Sequence, residues 1–83
     1  MTDSQEKAVE QRVQDTVARA LGIRGAASTP LRMGSTPGWD SMGHMMVVME
    51  LEKEFQTSLP SYLLPKLVDV PSIAKAIQEA QAI

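Results

Sequence analysis

The chain has 83 residues, a formal net charge of −2, no cysteine and a single histidine. That length supports one small domain built from locally efficient elements, and the composition excludes disulfides, thiolate metal sites, thiol nucleophiles and a His/Cys zinc cluster. The eight basic residues form no stripe and there are three aromatics, so the chain lacks the phosphate neutralisation and base stacking that nucleic-acid binding requires.

The first ten residues, MTDSQEKAVE, are polar and acidic, and no secretory signal is expected. The longest uninterrupted apolar run, Met45 to Met49, is too short to span a bilayer. A cytoplasmic monomer without a membrane span is expected. From Ser4 to Leu21, the spacing of Val9, Val13, Val17 and Ala20 predicts a helix with one apolar stripe and Leu21 at its edge. Asp3 and Glu6 resemble a capping pair at its start, and Gly22 stands where a left-handed C-terminal residue is wanted. Residues 22–40 hold Gly22, Gly25, Pro30, Gly34, Pro37 and Gly38 and read as a long loop. Leu31, Met33 and Trp39 predict that the loop packs back onto the helices, and a connection this long is a candidate functional element.

A second helix is predicted over about 41–55. Pro60 suits the first position of a short third helix, about 60–66, and Pro65 opposes its continuation. A last helix over about 71–82 begins at Pro71 and carries Ile73, Ala74, Ile77 and Ala80 on its apolar face. No strand or internal repeat is evident, so the fold class is all-α, with four helices.

The second helix has two apolar stripes. With Met42 at zero, His44, Val47, Val48, Leu51 and Phe55 fall between about 140° and 240°. Met42, Met45, Met46 and Met49 fall in the opposite arc, from roughly 300° through zero to 40°. The branched and aromatic stripe is the better core candidate. The methionines are either core filler or a surface that adapts to partners, a role that suits their flexible, polarizable side chains.

Gly38-Trp39-Asp40-Ser41-Met42-Gly43-His44, leading into Val47, Val48, Leu51, Glu52 and Phe55, resembles the acyl carrier protein superfamily, whose signature is Asp-Ser-Leu or a close variant at the head of the second helix. Leu21-Gly22-Ile23, Leu59-Pro60 and the stretch from Ile73 to Ile77 match other landmarks of that superfamily, so the resemblance covers nearly the whole chain. It implies an acyl-carrier-like four-helix bundle. It also implies Ser41 as the covalent attachment site of 4′-phosphopantetheine, whose thiol would hold cargo as a thioester. The position suits that role, because the first turn of a helix favours a phosphate anion. Asp40 is placed to cap the helix and to be read by a phosphopantetheinyl transferase; by itself, Asp40-Ser41 reads as a plain N-cap, and the full-chain match reverses that reading. Gly43 would leave room for an arm or a docking enzyme.

The chain departs from fatty-acid-synthesis carriers in having no carboxylate after Ser41 until Glu50, with Glu52 and Glu54 further along. The expected docking surface is Asp40, Met42, Met45, Met46 and Met49, flanked by acid. Asp-Ser-Met-Gly is closer to D-alanyl and other aminoacyl or dedicated acyl carriers. Tyr62, Leu63 and Leu64 are candidates to extend that surface or to line a cargo pocket. His44 has no nucleophile or orienting carboxylate at an evident spacing and reads as structural or cofactor-flanking.

The leading expectation is thus a non-enzymatic, stand-alone carrier of an aminoacyl or acyl group. Its expected partners are the transferase, an acyl- or aminoacyl-activating ligase and a downstream acyltransferase or synthase. The alternatives are a fatty-acid-synthesis type acyl carrier and an unmodified adaptor that binds an amphipathic helix. No catalytic or metal-binding residue is expected.

Overall fold

A computed structural model describes residues 2–23 and 31–81, with side chains described from residue 7 onward. The middle of the predicted 22–40 loop, residues 24–30, and the Asp3–Glu6 side-chain pair lie outside the described residues. The described chain is helical: α1 over Thr2–Leu21, α2 over Ser41–Phe55, a 3-10 helix over Ser61–Lys66, and α3 over Val70–Gln81. Among the described residues there is no strand, only one isolated antiparallel bridge, Arg32 to Asp69.

The first helix begins at Thr2, so Asp3 is already inside it and does not hold the cap position. Val13 and Val17 are fully buried and Val9 packs against the core, as the stripe predicts. Thr16 is also buried, and its hydroxyl donates to the Arg12 carbonyl oxygen at 2.7 Å. The helix ends with the Gly22 N–H on the Arg19 carbonyl (3.2 Å) and the Ile23 N–H on Ala18 (2.8 Å), with Gly22 at φ +73°. This paired closure needs a left-handed residue, which glycine supplies without a Cβ penalty.

The described part of the loop is ordered against its surroundings. Leu31 and Trp39 are buried and Met33 is half-buried on the core. The Met33 N–H bonds the Val68 carbonyl (2.8 Å), and the Gly34 N–H bonds that of Trp39 (3.0 Å). The loop is thereby tied to the segment that precedes α3. At that point Asp69 caps α3, accepting from the Ser72 N–H at 2.9 Å, one residue earlier than Pro71 suggests. The last predicted position of that helix, residue 82, lies outside the described residues.

Helix α1 packs against both α2 and α3. The core joins Val13 and Val17 to Val47, Leu51 and Phe55 of α2 and to Ile73 and Ile77 of α3. The predicted third helix is a 3-10 turn that includes Pro65, and Leu67 closes it onto the Leu64 carbonyl. No helix among the described residues is long and apolar enough to cross a membrane.

Candidate functional site

Ser41 is the first residue of α2 and is exposed, as is Asp40 before it. Asp40 is the N-cap: its backbone is extended (φ −105°, ψ −163°) and its Oδ1 accepts the Gly43 N–H at 2.9 Å. The first intrahelical bond runs from the His44 N–H to the Asp40 carbonyl at 2.8 Å. The N–H groups of Ser41 and Met42 therefore precede the helical ladder and have no carbonyl of the helix to meet. They carry the partial positive charge of the helix end beside the Ser41 hydroxyl.

Behind this head lies a buried polar chain. The Trp39 Nε1–H donates to His44 Nδ1 at 2.9 Å, and the Nε2 of the same imidazole lies 2.8 Å from the Leu64 carbonyl oxygen. A carbonyl can only accept, so Nε2 carries the proton and Nδ1 is the acceptor. The two rings stack with centroids 6.1 Å apart. One histidine thus fastens the loop, α2 and the 3-10 helix together at the base of the Ser41 turn. Its two nitrogens are committed, which accords with a structural histidine.

Gly43 is buried, and a Cβ there would overlap the carbonyl oxygen of Gly38 and press on the Leu21 side chain. The space that a small residue was expected to leave for an arm or an enzyme is filled by the chain's own loop. Gly38 reaches this approach at φ +87°, a left-handed conformation that suits glycine.

The two apolar faces of α2 separate cleanly. Gly43, His44, Val47, Val48, Leu51 and Phe55 are buried. Met42, Met45, Met46 and Met49 are 81%, 60%, 55% and 65% exposed, so they are not core filler. Tyr62 is exposed too, while Leu63 and Leu64 are half-buried against the core.

The acidic flank expected along α2 is engaged within the molecule. Glu54 pairs with Arg12 (3.1 Å) and Arg19 (3.4 Å), and Glu50 lies 3.7 Å from Arg19. The Arg12 hydrogen bond holds the Glu54 carboxyl below its ordinary range against a partial opposing desolvation, with Arg19 assisting. Glu52 accepts the Leu59 N–H at 2.8 Å. Arg12 also sits 4.4 Å over the Phe55 ring. The exposed methionine face is therefore bordered by carboxylates that are paired within the molecule. Beside it opens a groove of about 310 Å³ lined by Arg19, Ala20, Met46, Met49 and Glu50.

Arg12 and Arg19 are the residues that sequence reasoning missed. They stand seven apart on α1, on the same face, as Glu50 and Glu54 do at four apart on α2. That pairing of spacings is the signal that could have joined them. Among the described residues, no cluster of His, Cys, Asp and Glu is placed to hold a metal ion.

The described chain is thus an all-helical fold that presents an exposed serine at a helix head beside an apolar face. In sequence, it is similar to a segment of a non-reducing polyketide synthase, dbaI, of Emericella nidulans, with 33% identity over 72 residues, or 87% of this chain. The chain spans about 3% of that synthase's length. No family model matches the chain, and no solved structure matches it significantly.

Proposed function

We propose that this chain is a carrier domain that holds an acyl group as a thioester on a phosphopantetheine arm attached to Ser41, and that it has no catalytic activity of its own. The observation that carries the reading is the exposed Ser41 hydroxyl in the first turn of α2, beside backbone N–H groups outside the helical ladder. Such a turn favours the phosphate of an attached arm. In attachment, the Ser41 oxygen attacks the β-phosphorus of coenzyme A, 3′,5′-ADP leaves, and the hydroxyl proton passes to the transferase. Once bound, the arm supplies the thiol that carries the cargo.

The chain's own part is to present and to dock. Asp40 fixes the helix head and offers a carboxylate beside Ser41. Met42, Met45, Met46 and Met49 give the transferase, an activating ligase and a downstream synthase an apolar surface to meet. Similarity to a segment of a polyketide synthase favours an acyl cargo of polyketide type over the aminoacyl cargo that Asp-Ser-Met-Gly suggests.

The exposed methionine face would equally serve an unmodified adaptor, and one experiment separates the two. Wild type and Ser41→Ala are incubated with coenzyme A and a broad-specificity phosphopantetheinyl transferase, and intact masses are recorded. Gain of one phosphopantetheine by wild type alone is the expected result. No gain on folded wild type, or equal gain by both proteins, contradicts the reading.

A further inference from the structure

Lys53 continues the methionine stripe. It stands one turn beyond Met49, at about 20° on the same wheel and inside the methionine arc, and it is exposed. The three carboxylates of α2 are committed elsewhere: Glu50 to Arg19, Glu54 to Arg12 and Arg19, and Glu52 to the Leu59 N–H. Lys53 makes no ion pair among the described residues. The exposed charge at the C-terminal end of this face is thus a cation, with the Asp40 carboxylate at the opposite end beside Ser41.

Resting on the carrier reading, we propose that the partners of this domain dock through an apolar ridge with a carboxylate placed to meet Lys53. The ridge covers Met42, Met45, Met46 and Met49. The carboxylate lies about 6 Å further along the α2 axis, the rise of four residues. The groove of about 310 Å³ between Ala20 and Met49 takes one apolar anchor side chain. Methionine adapts to different ridges, so the ridge supplies contact area while Lys53 sets direction along the helix and rejects basic surfaces.

The test uses two synthetic amphipathic helical peptides with the same leucine face, one flanked by glutamate and one by lysine. Each is titrated into the full chain carrying 13C-labelled methionine methyls, as wild type, Lys53→Glu and Ser41→Ala. The expected result is movement of the Met42, Met45, Met46 and Met49 methyls, with the Met33 methyl still. At low salt the glutamate peptide binds wild type about three- to fivefold tighter, the scale of one exposed ion pair, and the margin shrinks at high salt. The preference reverses in Lys53→Glu and persists in Ser41→Ala.

Equal binding of the two peptides to wild type, preference for the lysine peptide, or no movement of those four methyls with either one overturns the proposal. This readout does not pass through the Ser41 hydroxyl. Failure of phosphopantetheine loading and failure of the docking chemistry are therefore separate results.

Discussion

Gly43 stands against the carbonyl oxygen of Gly38, so the first turn of α2 and the end of the preceding loop touch backbone to backbone. This contact seats Ser41 at the loop–helix junction, and only a residue without a side chain permits it. Glycine in a helix costs about 1 kcal/mol relative to alanine, and the close approach is what that cost secures.

Gly43→Ala is therefore expected to destabilise the fold by about 1–3 kcal/mol, the range for overpacking, although alanine is the better helix former. Urea unfolding followed by circular dichroism measures it. An unchanged or raised midpoint would mean that the loop yields and the contact is unimportant.

Trp39→Phe keeps the ring in the core but removes the Nε1–H that His44 Nδ1 accepts. Leaving that buried acceptor unpaired is expected to cost about 1–3 kcal/mol. The same network predicts that His44 is protonated on Nε2, which long-range 15N–1H correlation spectra read directly. A proton on Nδ1 would contradict the network.

Met45→Glu and Met49→Glu fall on exposed positions, and each is expected to change stability by no more than about 0.5 kcal/mol. Both are expected to lower the transferase's kcat/KM through a raised KM. Thermal unfolding beside initial loading rates separates the two effects. Loss of folding would mean that the methionine stripe is core.

Acid stability follows from two carboxylates. The Ser72 hydroxyl and N–H, with a smaller contribution from Arg32, hold the Asp69 carboxyl below its ordinary value of 3.8. Arg12, then Arg19, hold Glu54 below its ordinary 4.5. A depressed folded value stabilises the fold at pH above the ordinary value, and the benefit is lost as pH falls through the folded one. Stability is thus expected to decline as pH drops below about 4.5. Asp69→Asn keeps a capping oxygen and should flatten part of that decline in urea midpoints taken from pH 5 down to about 2.

The helices and the two faces of α2 were legible because periodicity is a local property: Val47, Leu51 and Phe55 lie on one arc, and the methionines lie opposite. Gly22 announced its own closure of α1. What local pattern could not convey was the use of groups across the fold. Gly43 looked like space for a visitor because its neighbour, Gly38, reaches it only through the folded loop. Glu50 and Glu54 looked like a free acidic flank because their partners, Arg19 and Arg12, lie 31 to 42 positions away in sequence. The start of α1 at Thr2 was missed because Asp3 mimics a cap. Ser41 was legible as a candidate through its motif, and it stands exposed at the head of α2.

If the Ser41 hydroxyl is the point of attachment, the added mass must be found on that residue. Wild-type protein loaded by transferase and coenzyme A is digested with trypsin, and the peptide from Met33 to Lys53 is fragmented. The phosphopantetheine is expected wholly on fragments containing Ser41, with Ser35 and Thr36 unmodified. An adduct on another residue, or none on a sample shown to be folded, would contradict it.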